Sequence, residues 1–304
     1  MTTVQYSGEP GSDAATVFVR GQGTWNNSAP LIQVDGVERS MSDIDPEEIE
    51  SITVLKDASA TAVFGVRGAN GVVLITTKRG EEGKPKIDVS TSFSALTPTK
   101  IVEMADSYQY ATFHNQMRKN DETAPQFGED ILEKFRTGSD PIRFPSIRWT
   151  DYLMKNSTLQ TKSNLNISGG TKSVRYFVSL GLMTQGGLFK EFNYDENFDY
   201  SYKRFNYRAN LDIDVTPTTT VTFNVSGIVS NDNKPRTGQG ASGMIRNMMQ
   251  STPFNAAGII DDRMVYTALD YTDLTLPFRS PQDPMEYLRQ GSSNTNLNKL
   301  QSDL

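Results

Sequence analysis

Residues Ile49 to Gly80, IESITVLKDASATAVFGVRGANGVVLITTKRG, read as a strand, a short helix and a second strand with their own punctuation. Ile52, Val54 and Leu55 form an apolar strand, and Asp57 is placed to cap an alanine-rich helix over Ala58 to Phe64. Gly65 and Gly68 allow sharp turns before Val72 to Thr77, a β-branched strand. The link from Lys56 to Gly71 is long enough for a crossover, so the two strands are expected to lie parallel or one apart in a small sheet. Upstream, Thr16 to Arg20 alternates toward a strand, Gly21 to Pro30 is a loop, and Leu31 to Val34 is a strand closed by the turn signal Asp35-Gly36. Asp45-Pro46-Glu47-Glu48 has the form of a helix start: an N-cap, proline at the first helical position and acidic residues in the first turn. Its carboxylates read as capping groups rather than acid/base or metal groups, because the spacing is that of a helix start and no histidine is near.

After Gly80 the chain changes character. Glu81-Glu82-Gly83-Lys84-Pro85 reads as a linker, and period-two alternation follows. The apolar members are Ile87, Val89, Phe93 and Ala95; Leu159, Leu165 and Ile167; Val174, Tyr176, Val178, Leu180 and Leu182; Phe205, Tyr207, Ala209, Leu211 and Ile213; and Val221, Phe223, Val225 and Val229. The run over 204–215 is the clearest, with Arg204, Asn206, Arg208, Asn210, Asp212 and Asp214 on its polar side. Strands of about nine to eleven residues with one apolar and one polar face suit a membrane barrel wall. A soluble β-sandwich alternates in the same way. Connection lengths point to the barrel: Gly169 to Ser173 and Thr216 to Thr219 are short, whereas Leu96 to Thr158, the Gly186 to Tyr200 region and Asn231 to about Asn298 are long. Strict alternation of short turns and long loops is the habit of outer-membrane barrels.

Helical spacing appears inside the long connections, over Ala105 to Lys119, over Glu129 to Phe135 with Gly138 as a stop, and over Gly240 to Gln250. In the last, Met244, Ile245, Met248 and Met249 make an apolar stripe that reads as packing before it reads as a ligand grip.

Composition rules out several classes. The chain has 304 residues, a net charge of -6, one histidine and no cysteine. The acidic balance and the lack of a basic cluster argue against nucleic-acid binding. Without cysteine there is no disulfide, zinc-thiolate site or thiol nucleophile. No run of about 18 apolar residues exists for a membrane-crossing helix. A serine triad would depend on His114 alone, whose helical neighbours Tyr110 and Phe113 mark it as a packed or surface residue. Gly170-Thr171-Lys172-Ser173 lacks the upstream glycine spacing of a phosphate loop and reads as a hairpin turn. Gly21-Gln22-Gly23 lacks the third glycine of a dinucleotide motif. No catalytic residue, metal site or cofactor is expected.

The 49–80 stretch resembles the end of the plug domain of SusC/RagA-like TonB-dependent outer-membrane transporters, in the family pattern IESI-VLKDA-ATA-YG-R-ANGVVLITTK, with Phe64 at the aromatic position. Pro10 to Asp13, Val19-Arg20-Gly21 and Pro30 to Val37 resemble that family's PGSD, IRG and PLYVIDGV segments, in the same order. Ser168-Gly169-Gly170 and Val174-Arg175-Tyr176 resemble its SGG and VRYY patterns. The resemblance implies an α+β plug domain over 1–83, incomplete at its N-terminus. It implies next, over 84–304, the first five to six strands of an antiparallel transmembrane β-barrel of about twenty-two, with long extracellular loops near 97–158, 186–200 and 231–298. Asp35, Gly36, Lys56, Asp57, Gly65, Gly68, Asn70 and Gly71 fall on the family's plug motif. Arg20 and Arg67 are expected to hold the plug in register against its own loops and the barrel.

The implied protein lies in the outer membrane, its signal peptide preceding this fragment, and does not transport as these residues alone, since five strands leave unpaired edges in lipid. It imports a nutrient, a glycan or oligosaccharide first and an oligopeptide second, with a SusD-like surface lipoprotein and the TonB-ExbB-ExbD complex. A siderophore or cobalamin receptor shares the layout, but the KDA and RGANGV details favour the SusC-like branch. Which residues bind substrate is not legible.

Overall fold

The structure is a computed structural model that describes residues 2–4, 11, 16–19, 21, 28–190, 192, 200–236, 240–261, 263–266 and 292–303. Two short strands, β1 (Thr2–Val4) and β2 (Thr16–Phe18), pair antiparallel ahead of the plug sheet. That sheet contains β3 (Leu31–Val34), β4 (Val37–Glu38), β5 (Ile49–Leu55) and β6 (Val72–Thr77), in the spatial order β4-β3-β6-β5. Asp35 and Gly36, with φ of 50° and 88°, make the tight turn between β3 and β4. Val34, Val73 and Ile75 pack with Val19 and Ile44 as the plug core.

Three local expectations need correction. β5 and β6 are adjacent and antiparallel, Ile52 opposite Ile75, and β6 runs parallel to β3 instead. The link between them, 56–71, therefore closes a wide hairpin rather than a crossover. Its helix α1 (Ala58–Thr61) gives way to a 3-10 segment over Ala62–Gly68 in which Gly65 is non-helical at φ 57°, and Asp57 makes no side-chain cap. Gly71, at φ 95°, has no space for a Cβ beside the Val19 side chain. The Asp45 signal starts only one 3-10 turn, Pro46–Glu48, in which Asp45 accepts a hydrogen bond from the Glu47 N–H at 3.0 Å.

Beyond β6 the chain enters a six-stranded antiparallel sheet, the wall. Its members are β7 (Gly83–Leu96), β8 (Thr158–Gly170), β9 (Val174–Gly186), β10 (Ser201–Thr216), β11 (Thr219–Pro235) and, at the far side, a strand over Ser292–Asp303. Their order, from that last strand through β11, β10, β9 and β8 to β7, is the order of the chain, as a barrel meander requires. Short turns at 171–173 and 217–218 lie at one end of the wall, and the long connections leave from the other.

The long connections fold with one another. The first holds α2 (Ser107–Asn120), α3 (Glu129–Thr137) and α4 (Trp149–Leu153); the third holds α5 (Gly240–Gln250) and a hairpin of β12 (Ala256–Ile260) and β13 (Arg263–Tyr266). The wall's last strand is thus β14. The third connection is shorter at both ends than 231–298, because β11 runs on to Pro235 and β14 begins at Ser292. A capping box starts α2, where Asp106 accepts from the Gln109 N–H and Gln109 accepts from the Asp106 N–H. Gly138 ends α3 in the left-handed region. Trp149, Leu153, Phe189, Tyr200, Met244, Met248 and Ala256 form one apolar cluster; Ala111, Phe127, Ile131, Phe135, Phe144 and Phe254 form another. Two members of the methionine stripe, Met244 and Met248, are packing residues, and Ile245 and Met249 are left at the surface.

The wall is inside out relative to a soluble sheet. Phe93, Leu182, Phe205, Val229 and Leu300 are exposed, whereas Asn206, Arg208, Asn210, Asp212, Asn224 and Ser226 are buried. A β-sandwich would bury the first set and solvate the second. An apolar outer face with a polar inner face is the arrangement of a membrane barrel, which corrects the sandwich alternative. As built, the sheet is open, a partial barrel.

Candidate functional site: the seam between plug and wall

Alternation along β10 puts Asn206, Arg208, Asn210 and Asp212 on one face, and that face meets the plug. At its centre is Glu48, the last residue of the one-turn helix and only 2 % exposed. The Arg208 Nε donates to Glu48 Oε2 at 2.7 Å and the Asn206 Nδ2 donates to Glu48 Oε1 at 2.9 Å, so both carboxylate oxygens are engaged. The Arg208 Nη1 also stands 3.9 Å from Asp35 Oδ2. One buried guanidinium therefore faces two plug carboxylates.

Asp35 is held in turn by β6. It accepts from the Thr77 N–H at 3.0 Å and the Thr77 hydroxyl at 2.7 Å. The same hydroxyl oxygen accepts from Asn210 Nδ2 at 2.9 Å, and Asn210 also donates to the Lys78 carbonyl at 2.8 Å. Thr77 thus joins the plug's turn to the wall. One residue beyond Lys78, Arg79 pairs with Asp212 at 2.8 Å, and Asp212 accepts from the Thr222 hydroxyl of β11 at 2.8 Å. A Cβ on Gly80 would collide with the backbone of Tyr176, so the segment leaving the plug runs flush against β9.

Further along the seam the donors change sides. Arg39 of the plug donates to Ser226 of β11 at 2.9 Å and pairs with Asp303 of β14. Lys299 of β14 pairs with Asp43 of the plug at 2.8 Å, and Arg204 of β10 donates to the Ser42 carbonyl at 3.2 Å. The Glu48–Arg208 pair is the deepest of these, with side chains 2 % and 1 % exposed. Removing one partner of such a pair leaves the other charge buried without compensation, which costs several kcal/mol, roughly 3–5. The arrangement is a seat: it binds and can release, and no nucleophile or proton-transfer pair is assembled in it. Among the described residues no group of three or more His, Cys, Asp or Glu could hold a metal.

The residues singled out from the sequence are distributed unevenly over this seam. Asp35 is inside it. Gly36, Gly65, Gly68 and Gly71 shape the plug's turns; Asn70 donates to the Ala29 carbonyl at 3.3 Å; Lys56 and Asp57 flank α1. Arg67 reaches Glu38 of the plug itself at 2.7 Å, and both are well exposed; none of its bonds among the described residues ends on the wall. Arg20 and most of Gly21-Gln22-Gly23 lie outside the described residues. His114 packs against Tyr110 and Phe127 in the aromatic cluster. Sequence reasoning missed Glu48 because its position resembles a helix cap. Its partner could have been found: a charged arginine on the inner face of a strand needs a buried counter-charge.

The family described as TonB-dependent Receptor Plug Domain matches residues 1–72. TonB-dependent receptor P3 of Formosa agariphila is 32 % identical over 222 residues, 72 % of this chain and 19 % of the relative. TonB-dependent receptor SusC of Bacteroides thetaiotaomicron is 30 % identical over 223 residues, 69 % of this chain and 20 % of the relative. The chain thus spans about a fifth of the length of these curated relatives. Among solved structures, the RagAB peptide importer in its closed-closed state superposes with a TM-score of 0.59 at 25 % identity, over 76 % of this chain and 27 % of that one. Its open-open state superposes over 99 % of this chain and 35 % of that one, with a TM-score of 0.69 at 22 % identity, a likeness of fold. In sequence and in fold the chain resembles a stretch of a SusC/RagA-like TonB-dependent transporter, a plug followed by strands of a barrel wall.

Proposed function

We propose that the protein to which this chain belongs imports a nutrient across the outer membrane, driven through TonB. The inverted wall carries this reading: an apolar face turned outward and a polar face turned inward onto a plug held by replaceable polar bonds. The gate is the seam at β10. Energy delivered by the TonB-ExbB-ExbD complex loosens the plug, solute passes, and the Glu48–Arg208 and Thr77–Asn210 bonds reseat it. The plug occupies 1–83 and the wall 84–304, with the long connections outside the cell and the short turns in the periplasm. A SusD-like lipoprotein covers the outer opening.

A glycan or oligosaccharide is the substrate class we favour, in line with the likeness to SusC; an oligopeptide is the second reading, supported by the likeness to the RagAB peptide importer. Growth of the native host on oligosaccharides and on peptides as sole nutrient, with the gene intact, deleted or complemented by an Arg208→Ala variant, tests both. Loss of growth on one class only, reproduced by disabling TonB, is expected. Unimpaired growth of the deletion strain on every class tested would overturn the import reading.

A further inference from the structure

On the outer face of the wall the apolar band runs obliquely across the strands. Its member nearest the long connections is Ala95 on β7 and Leu159 on β8, which stand opposite each other. On β9, β10 and β11 it is Leu182, Phe205 and Val229, again in one row, which meets β8 at Ser163, closer to the short turns. On β14 it is Leu300, one row closer still. Strands about 4.8 Å apart and tilted by about 40° shift a flat membrane boundary by about 4 Å along each successive strand. From β7 to β14 that amounts to about 20 Å, or about six residues of strand, which is the displacement the band shows. The upper edge of the band therefore traces the edge of the hydrocarbon, and side chains beyond it face lipid headgroups.

Beyond that edge, β10, β11 and β14 carry a block of different chemistry. Lys203, Asn231 and Asn296 stand side by side in one row, with Asn294 and Asn298 on either side of it along β14. The Asn231 Nδ2 donates to Asn294 Oδ1 at 2.8 Å and to Asn296 Oδ1 at 2.7 Å. These bonds occupy acceptors. Among the described residues the amide N–H groups of Asn294, Asn296 and Asn298 and the Lys203 ammonium have no partner, and all four residues are exposed. The carboxylates of the same strands lie on the inner face: Asp212 and Asp303 bond plug arginines, and Asp214 and Asp232 pair with Arg175 and Lys234. Inside the band the outward polar groups are small hydroxyls such as Thr91 and Ser163, bonded to each other at 3.3 Å. The block is thus a surface of donors with one cation and no carboxylate, set where headgroups begin.

A phosphate accepts from an ammonium and from amide N–H groups, and sugar hydroxyls both donate to amides and accept from them. A phospholipid headgroup that ends in its own ammonium brings like charge toward Lys203 and has no hydroxyls to offer the amides. We propose that this block is a docking surface for a phosphorylated glycolipid of the outer leaflet, of the lipid A class, with Lys203 on a phosphate and the β14 amides on sugar oxygens. β10, β11 and β14 are also the strands that seat the plug, so a lipid held here braces that part of the wall from outside. The inference rests on the reading above that the long connections lie outside the cell, and the test separates it from import.

In the full-length transporter, a photo-crosslinking benzoylphenylalanine replaces Ser201, next to Lys203 on the same outer face, or, as a control at the opposite end of the wall, Thr218. Each protein is irradiated in detergent micelles holding equal amounts of lipid A and phosphatidylethanolamine, and the adducts are identified by mass. At 201 lipid A adducts are expected to exceed phosphatidylethanolamine adducts at least about tenfold, and at 218 the two are expected to be about equal. Lys203→Glu with Asn296→Asp should bring the ratio at 201 to about that at 218, whereas Lys203→Arg should keep the preference. Heat-modifiable migration on gels checks that each barrel has formed. The proposal is overturned if 201 shows no preference, if the double variant keeps it, or if 218 prefers lipid A equally. Adducts at 201 with a second copy of the protein in place of lipid also overturn it, because the face is then a protein contact. Loss of TonB-dependent uptake is measured separately: a parent that takes up neither oligosaccharide nor peptide sinks the import reading and leaves the lipid result standing.

Discussion

Two regions of this molecule are deeply buried, and they are made of opposite materials. The seam between plug and wall is built from Glu48, Arg208, Asn206, Asn210, Thr77 and Asp35. The module formed by the long connections is built from Trp149, Leu153, Met244, Met248 and a cluster of phenylalanines around Phe254. Polar bonds can be traded for bonds to water with little net change, so a polar seam can open and close. Apolar burial has no such substitute in water, and a cluster of this kind stays assembled. On the import reading proposed above, the contrast separates the part that would loosen during transport from the part that holds its shape.

The largest expected effect breaks the apolar region. Trp149 is 1 % exposed and donates its indole N–H to the Thr252 carbonyl at 2.9 Å, tying the first long connection to the third. Trp149→Ala should destabilise that module by about 4 kcal/mol, seen as rapid proteolysis within 97–157 in the full-length protein while the barrel stays intact. Survival of the module would mean that the two connections are independent.

Arg208→Ala comes next. It strands Glu48 without its cation and should weaken the seat by about 3 kcal/mol, measured as faster amide exchange over β5 and β6 and plug release at lower urea. Replacing both members, Glu48→Met with Arg208→Met, should recover most of that stability and yet slow TonB-driven uptake, because an apolar contact does not release into water. Normal uptake by the double variant would mean that the plug is released without help from the seam's polarity.

Gly80→Ala should cost about 2 kcal/mol through the clash with the Tyr176 backbone and should shift the end of the plug away from β9. A disulfide-trapping assay between introduced cysteines at 79 and 212 would report that shift. The smallest effect belongs to Arg67→Ala. Its pair with Glu38 is exposed on both sides, and its loss should change plug stability by less than about 0.5 kcal/mol. A large loss of plug retention in that variant would instead reveal a wall contact for Arg67, as the family resemblance implies.

Much of this fold is legible in the chain. The wall strands follow from the alternation of residues such as Phe205 to Ile213, and the helices over 107–120, 129–137 and 240–250 follow from spacing and caps. Other elements are not marked locally. Helix α4 is five residues long, too short for a period to show. The β12–β13 hairpin carries a register shift between Ala256 and Gly258 that breaks its alternation. The antiparallel pairing of β5 with β6 is invisible because direction is a property of the sheet, and β3, about forty residues earlier in register, takes the parallel side of β6.

By itself the sequence determined that this chain is a plug motif followed by a wall with one apolar and one polar face, since both depend on periods and turns within a few residues. Tertiary structure alone decided which polar residues grip the plug. Glu48 and Arg208 lie 160 positions apart, and nothing near either names the other. Their pairing arises because the low dielectric between plug and wall makes a buried charge costly until it meets its opposite. The same register sets Asn164 and Asn166 of β8 opposite Gly181 and Ser179 of β9, on the face that carries Arg208.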